Sequence, residues 1–308
     1  MRHRSSVPRR VRWLAIASLA GAAGCGVDSL DTDVTTSLEL PEAMTALRVR
    51  VALGDITVGT HEGERSLRIE GRLRRSAADP DDFEALAAIR FVPELRPTEE
   101  PGVYEFATPS APAGVDPARS AIIFRAYLSL PAGLAIDVAT QRGTLEARSR
   151  KAPVKLRTGL GELVVRDTQA SADIATLDGK VFVVGHRGAL VAQSGDPERP
   201  TLSGGAIVAR VDELAAEGVQ LRTNGPSLQI DLPADGDFEL DAAVTKSAVG
   251  KLGIRNGFGL PVLAEGEGHR CRGRVGRGGP SVRLELHSGW LSIPSRSVPP
   301  NAGGTVSK

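Results

Sequence analysis

Four aspartates lie close together in the 308-residue sequence, at Asp231, Asp235, Asp237 and Asp241. An Asp-x-Asp spacing offers oxygen ligands to Ca²⁺, and paired carboxylates on one face are the machinery of polysaccharide hydrolysis. The segment lacks the glycine and the distal glutamate of an EF-hand calcium loop. We therefore keep Asp235 and Asp237 as candidate binding residues and predict no metal site.

Two further patterns partly resemble a phosphate-binding loop and a set of metal-binding histidines, but each lacks residues that its motif requires. The glycine-rich run at 273–279 lacks the Gly-Lys-Ser/Thr ending of a phosphate loop, so it favours a corner between strands. The histidines beyond the first 25 residues have no metal-ligand spacing such as His-x-x-x-His, and we interpret them as surface residues: His61, His186, His269 and His287. The sequence therefore predicts no catalytic residue, no cofactor and no enzyme activity.

The first 24 residues have the organisation of a signal peptide. Five arginines precede an apolar stretch at 13–19, which small residues follow. This stretch is too short to cross a hydrocarbon core of ~30 Å as a helix. The segment 19–25, Leu-Ala-Gly-Ala-Ala-Gly-Cys, resembles a bacterial lipobox, although Ala22 stands where Leu is usual. Cys25 is therefore predicted to be acylated and to anchor the protein in a membrane; the alternative is ordinary secretion with Cys25 as a spectator.

The charge balance argues against a nucleic-acid-binding protein. The chain has 38 basic and 37 acidic side chains, and removal of residues 1–24 leaves 33 basic and 37 acidic, a net charge of −4. Binding to phosphates needs a concentrated basic face, whereas Arg and Lys here mostly alternate with apolar residues. If Cys25 is acylated, Cys271 is left without a disulfide partner.

The dominant pattern is an internal repeat of 18 residues. Its template is apolar-x-apolar-x-Thr/apolar-x-x-Gly-x-apolar-x-apolar. Three successive copies advance by 18 at every position: Ile136, Val138, Thr140, Gly143, Leu145, Ala147; Val154, Leu156, Thr158, Gly161, Leu163, Val165; and Ala172, Ile174, Thr176, Gly179, Val181, Val183. A fourth copy begins at Leu190, is interrupted by a polar insertion at 196–200 and resumes at Gly205. Looser copies occupy 47–58, 219–230 and 282–293.

The template predicts two short strands joined by a corner. Alternation with a period of two places one apolar set on the inner face of each strand, and the recurring glycine suits a corner with positive φ. Because 18 residues cannot bury their apolar stripe alone, successive copies must stack. We predict an all-β, single-chain parallel β-solenoid with coils of ~18 residues. An antiparallel sandwich explains the alternation but gives no reason for the constant spacing.

The remaining sequence divides around this body. The predicted segments are a signal peptide (1–24), a lipidated cysteine and tether (25–37), an N-terminal β segment (38–133), the solenoid (134–293) and a disordered tail (294–308). Asp79 as N-cap and Pro80 at the first helical position predict a short helix over 79–89. Strands are expected around 89–92, 103–107 and 121–130.

The phrase Leu-Ser-Leu-Pro-Ala-Gly-Leu at 128–134, followed by Thr-x-x-Gly-x-apolar segments, resembles the DUF4097 family of putative adhesins, which are bacterial β-helix proteins. The passages 232–240, 276–280 and 284–289 agree with it. The family usually has Ser-Gly-Asp at the corner, where this chain has Arg-Gly-Thr at 142–144. The resemblance implies a right-handed β-helix at the cell envelope, with an adhesive or scaffolding role and no assigned catalytic residues.

One outward residue is a further candidate for binding. Leu291 and Ile293 should point inward, which places Trp290 on the outer face, where it could stack on a sugar or anchor a protein contact. The alternative is that a capping segment covers Trp290, since the end of a solenoid must be protected.

The sequence thus predicts a non-enzymatic, lipid-anchored envelope protein for adhesion or scaffolding. Its expected partners are the membrane, through the N-terminal lipid, and an envelope protein or polysaccharide, but not nucleic acid. The expected location is the outer membrane, facing the periplasm or the cell surface. Two alternatives remain open: a periplasmic polysaccharide hydrolase or lyase on the same fold, and an extracytoplasmic sensor.

Overall fold

The computed structural model of the protein describes residues 27–196, 198–199, 204–246 and 253–296. Within them the chain is all-β, with one short helix, α1 (Pro80–Ala87). The strands are β1 (Asp28–Glu39), β2 (Ala46–Leu53), β3 (Ile56–His61), β4 (Ser66–Ala77), β5 (Arg96–Pro97), β6 (Val103–Ala107), β7 (Ser120–Pro131), β8 (Ala135–Arg142), β9 (Leu145–Arg148), β10 (Val154–Leu160) and β11 (Leu163–Arg166). They continue as β12 (Ala172–Asp178), β13 (Val181–Ser194), β14 (Ile207–Thr223), β15 (Ser227–Pro233), β16 (Phe238–Lys246), β17 (Ile254–Asn256), β18 (Val262–Glu265), β19 (Gly268–Val275), β20 (Ser281–Ser288), β21 (Trp290–Ile293) and β22 (Ser295–Arg296).

The 18-residue spacing of the sequence is the register of the central strands. Leu156 pairs in parallel with Val138 on one side and Ile174 on the other. In the second strand of the repeat, Leu163 pairs with Leu145 and Val181. All six of these side chains are buried. The predicted register and inward facing are therefore confirmed for this part of the chain.

The described strands form two series of hydrogen-bonded neighbours. Series A runs in the order β5, β6, β2, β8, β10, β12, β13, β14, β20, β16, β19, β18. Series B runs in the order β1, β4, β7, β3, β9, β11, β13, β14, β15, β21, β17. The long strands β13 and β14 belong to both series, because their first halves lie in series B and their second halves in series A. The two series are thereby joined into one large sheet.

The sheet is mixed, which corrects the prediction of a wholly parallel arrangement. One end of series B is antiparallel, where β4 pairs with both β1 and β7. One end of series A is antiparallel, where β19 pairs with β16 and β18. Two residues connect β18 to β19, and Gly266 among them has a φ of 60°. A two-residue connection can only join antiparallel strands, because a parallel pair needs a long crossover.

Two segments stack out of chain order. β2 lies between β6 and β8, and β3 lies between β7 and β9, so the early sequence copy at 47–58 sits directly beside the copy at 136–147. At the other end, β20 lies between β14 and β16, and β21 lies between β15 and β17. The sequence copies at 47–58 and 282–293 therefore lie between strands from other parts of the chain.

The predicted helix is confirmed, although it is shorter than expected. Asp79 caps α1 by accepting hydrogen bonds from the backbone N–H groups of Asp81 (2.9 Å) and Asp82 (3.4 Å), and Pro80 occupies the first helical position. The strand expected around 89–92 does not form, whereas those expected at 103–107 and 121–130 correspond to β6 and β7.

Most of the segment predicted to be a tether is a strand. β1 pairs with β4 along its whole length, from Asp28 opposite Ala77 to Glu39 opposite Ser66. Its inner row includes Val34, which is buried, so the few apolar residues of this segment fall on the alternate positions that the sheet needs. The signal peptide, Cys25 and the tail beyond Arg296 lie outside the described residues. No described helix is long and apolar enough to cross a membrane.

Candidate functional site

Asp231, Asp237 and Asp241 each bond to a different residue, and Asp231 accepts a hydrogen bond from the side-chain amide of Gln229 (3.2 Å). Asp237 accepts hydrogen bonds from the backbone N–H (2.7 Å) and the Nε (2.8 Å) of Arg277, and these bonds lower the pKa of its carboxyl. Asp241 accepts two hydrogen bonds of 2.8 Å from Arg270 and one of 2.6 Å from Arg272, which lower its pKa to about 2. Asp235 is exposed in the turn before β16. Among the described residues, no group of three His, Cys, Asp or Glu side chains could hold a metal ion.

The glycine-rich run forms a turn. It ends β19 and leads into β20, with φ of 58° at Gly276 and 79° at Gly278. A Cβ at Gly276 would lie 2.1 Å from the Oδ1 of Asp237, so glycine is what allows that carboxylate to close over the turn. The role of Asp237 in this geometry is to fasten the connection between two strands.

Trp290 has the predicted outward facing. Half of its surface is exposed (51%), while Leu291 and Ile293 are buried. It is not at the end of the stack, because β17 pairs with β21 on the side away from β15. A role for Trp290 in binding stays a prediction.

The interpretation of His186 as a surface residue is wrong, because its side chain is fully buried. It continues a column of inward polar side chains, spaced by 18 residues, that starts at Arg150 and passes through Thr168. The Oγ1 of Thr168 lies 2.7 Å from the Nδ1 of His186, and the Nε2 of His186 lies 3.1 Å from the carbonyl oxygen of Ala189. Burial lowers the pKa of His186. The other three histidines are half-buried.

Arg150 fills the start of this column without an acidic partner. Its guanidinium donates to the carbonyl oxygens of Leu130 (3.2 Å), Pro131 (2.8 Å) and Leu134 (2.6 Å), and to the Oγ1 of Thr60 (3.1 Å). Burial lowers its pKa to about 10, so it remains charged at neutral pH. A guanidinium has five N–H donors in a fixed fork, which suits a place where several strand ends leave carbonyl groups pointing inward. The column is therefore structural.

A stripe of outward apolar side chains crosses series B. Val164, Phe182 and Val208 are direct neighbours on β11, β13 and β14. Val184 lies two residues beyond Phe182 on the same face and is exposed (37%). We call Val164, Phe182, Val184 and Val208 the apolar stripe. Val164 is itself buried (6%), and Phe182 and Val208 are half-buried. In the same row, Tyr127 on β7 is exposed (40%).

The outer face of series A has a different character. Its strands carry ion pairs between neighbours, such as Arg50 with Asp137 (2.8 Å) and Arg157 with Asp173. Series B has such pairs too, including Glu146 of β9 with Arg166 of β11 (2.9 Å), but there they lie beside the apolar stripe. Hydrogen bonds and charges from Arg50 lower the pKa of Asp137 although burial opposes this. Such alternation of charge is typical of a solvated face, so the apolar stripe of series B is the better candidate for a binding surface.

No protein-family model and no curated protein matches the sequence. Among solved structures, the chain is similar to a "putative cell adhesion protein" from Clostridium sporogenes, with 12% identity, a TM-score of 0.31 and coverage of 87% of this chain and 100% of the other. It is also similar to a "putative adhesin" from Bacteroides fragilis, with 10% identity, a TM-score of 0.28 and coverage of 86% and 97%. A third, from Parabacteroides distasonis, has 9% identity and a TM-score of 0.21, over 87% and 97%.

Proposed function

We propose that this protein is a non-enzymatic, lipid-anchored envelope adhesin or scaffold that binds a protein partner through the apolar stripe. The observation that carries the proposal is the contrast between the two outer faces. Series A presents paired charges across its strands. Series B presents the apolar stripe, in which Val184 is exposed and Phe182 and Val208 are half-buried, with Arg166 beside Val184 and paired to Glu146 (2.9 Å). Aromatic and apolar side chains next to arginine are the composition of the energetic centre of protein interfaces.

The state of the carboxyl groups supports a role without catalysis. A glycoside hydrolase or lyase acting through general acid catalysis needs a carboxyl group whose pKa is raised. Every described carboxyl group whose pKa the structure shifts is shifted down: Asp137, Glu146, Asp237 and Asp241. Arginines hold each of them as a carboxylate.

The architecture proposed with this function is a parallel β-solenoid closed at its ends by antiparallel strands. It is supported by the 18-residue parallel register and by the inward column of apolar side chains in both series. Membership of the DUF4097 family belongs to the same proposal and is supported by the phrase at 128–134, which closes β7 and turns into β8. Export and acylation at Cys25 are supported by the lipobox-like segment 19–25.

Binding to isolated cell envelopes tests the proposal. Fluorescently labelled Cys25→Ser protein, which lacks the lipid, should sediment with envelopes of the producing bacterium. The variant Phe182→Ser should bind at least about tenfold more weakly, a loss of ~1.4 kcal/mol or more. Treatment of the envelopes with protease should abolish binding, since the partner is a protein.

The matched control lies on the same strand. Val191→Ser removes an equally outward apolar side chain from β13, but in the half that belongs to series A, where Val191 is exposed. It should bind like the parent protein. Equal losses for both variants, or binding that survives protease but not oxidation of the envelope glycans, would contradict a protein-binding stripe in series B.

A further inference from the structure

The fold begins almost directly at the predicted lipid attachment site. Only Gly26 and Val27 separate Cys25 from the first residue of β1, Asp28. A fully extended chain spans at most ~3.6 Å per residue, so the Cα atom of Asp28 lies within about 11 Å of the Cα atom of Cys25. This distance leaves no room for a spacer between the lipid and the folded body.

The strand pairing shows which residues lie beside Asp28. Asp28 pairs with Ala77, and Ala77 pairs with Ser120, so the three lie side by side at steps of ~4.8 Å. The chain enters Ser120 from the loop at 110–119, and it leaves Ala77 toward α1. We call residues 27–28, 77–79 and 110–120 the anchor end.

We propose that the anchor end lies against the lipid headgroups of the membrane in which Cys25 is acylated. This rests on the proposed acylation. The headgroup region is only a few ångströms deep on each side of the hydrocarbon core. An acylated cysteine residue at its edge therefore holds Asp28 and its two strand neighbours at the membrane surface.

The surface of the anchor end can be placed there without a large desolvation cost. Residues 110–114 (Ser-Ala-Pro-Ala-Gly) are exposed and uncharged, and Val27 is exposed. The loop is fastened to the helix, because the Oδ2 of Asp82 accepts hydrogen bonds from the backbone N–H of Asp116 (3.1 Å) and from the Oγ of Ser120 (3.0 Å). The uncharged segment 110–114 can rest on headgroups without a charged group of that segment being stripped of water.

Attraction to anionic lipids is not what holds the anchor end in place. Asp28 and Asp116 are exposed there together with Arg119, and Asp81 is exposed in the adjoining helix α1. Acidic groups are repelled by an anionic surface. The short covalent connection holds it. A longer connection should therefore release the body from the surface while leaving the lipid attached.

Fluorescence quenching by a headgroup label tests this. The acylated full-length protein carries a fluorophore at Ala118→Cys, an exposed site of the anchor end, or at Ala264→Cys on β18. Nine strand steps separate β2 from β18, a distance of roughly 43 Å at ~4.8 Å each. The proteins are reconstituted into phosphatidylethanolamine and phosphatidylglycerol vesicles containing a nitroxide-headgroup lipid. The fluorophore at residue 118 should be quenched at least about threefold more strongly than the one at residue 264, because β18 is the last strand of series A on the side away from β2 and the headgroup layer is thin.

A tether variant separates docking from anchoring. Insertion of 20 Gly and Ser residues between Val27 and Asp28 gives a coil with an average span of roughly 25 Å. Quenching at residue 118 should then fall to the level at residue 264, although the protein still sediments with the vesicles. Equal quenching at the two sites, or quenching at residue 118 that the insertion leaves unchanged, overturns the inference while acylation stands. An N-terminal peptide whose mass shows no acyl chains on Cys25 overturns both.

Discussion

The hydroxyl of Thr158 donates a hydrogen bond of 3.2 Å to the carbonyl oxygen of Gly143, in the neighbouring repeat. The same carbonyl oxygen would lie 2.1 Å from a Cβ placed on Gly161. The bond recurs in register, from Thr176 to Gly161 (3.2 Å), from Ser194 to Gly179 (2.7 Å) and from Thr223 to Gly205 (2.7 Å). The threonine and the glycine of the repeat therefore act together. Glycine lets two backbones approach closely, and the hydroxyl donates a hydrogen bond to the carbonyl oxygen that this approach buries.

Gly161→Ala should destabilise the protein by at least ~2 kcal/mol, because the φ of 147° is strained for alanine and its Cβ cannot fit against the carbonyl oxygen of Gly143. Urea unfolding followed by circular dichroism gives the free energies. Gly63→Ala is the control, since Gly63 has a φ of 101° but nothing within 4 Å of the added Cβ. Its loss should be only ~1 kcal/mol, the cost of the backbone conformation. Equal losses would mean that close stacking is not the reason for the glycine at position 161.

Leu156→Ala should cost ~2 to 5 kcal/mol, because Leu156 is fully buried between Val138 and Ile174 and its truncation leaves a cavity. The neighbouring variant Arg157→Ala should cost ~1 kcal/mol or less. Arg157 faces outward, where it bonds to the backbone oxygen (2.8 Å) and the carboxylate of Asp173. Denaturant midpoints of the two variants, compared with that of the parent protein, measure these two losses. Similar losses would show that the inward and outward assignments of this strand are mistaken.

The central register could be predicted because every inward position of three consecutive copies is filled by a similar residue at a constant spacing. The position of the copy at 282–293 could not be predicted. Its apolar residues can pack beside many strands of the sheet, and chain order does not indicate that β20 lies between β14 and β16. The pairing of Asp241 with Arg270 depends on the antiparallel strand β19, 29 residues further along. The column of Arg150, Thr168 and His186 has the same spacing of 18 residues, so the sequence does indicate that these three side chains occupy equivalent inward positions.

Arg150→Met should destabilise the protein by ~2 to 4 kcal/mol, because the apolar side chain fills a similar volume but leaves the carbonyl groups of Leu130, Pro131 and Leu134 without donors. Arg150→Lys keeps the charge and has three donors, so its loss should be smaller. Thermal unfolding at neutral pH ranks the variants. An Arg150→Met protein as stable as the parent would show that water or backbone movement satisfies these carbonyl groups.

The buried His186 should make the stability of the protein depend on pH in the mildly acidic range. Its hydrogen bonds suit a neutral ring, with the Nε2 proton donated to the carbonyl oxygen of Ala189 and the hydroxyl of Thr168 donating to Nδ1. A second proton on Nδ1 would face that hydroxyl in a buried site, and burial accordingly lowers the pKa of the ring. His186 therefore binds a second proton less readily in the folded protein than in the unfolded chain.

The direction of the effect follows from the order of the two pKa values. Because the folded-state pKa lies below the unfolded value of about 6.5, the full stability is present above pH ~6.5 and is lost as the pH falls toward the folded-state pKa, with a limiting slope of ~1.4 kcal/mol per pH unit. His61, whose pKa burial also lowers, adds a loss of the same sign. Free energies of unfolding measured from pH 7.5 to 5 should therefore fall for the parent protein and fall less steeply for His186→Gln. A His186→Gln protein with an unchanged slope would mean that the buried ring does not take part in this titration.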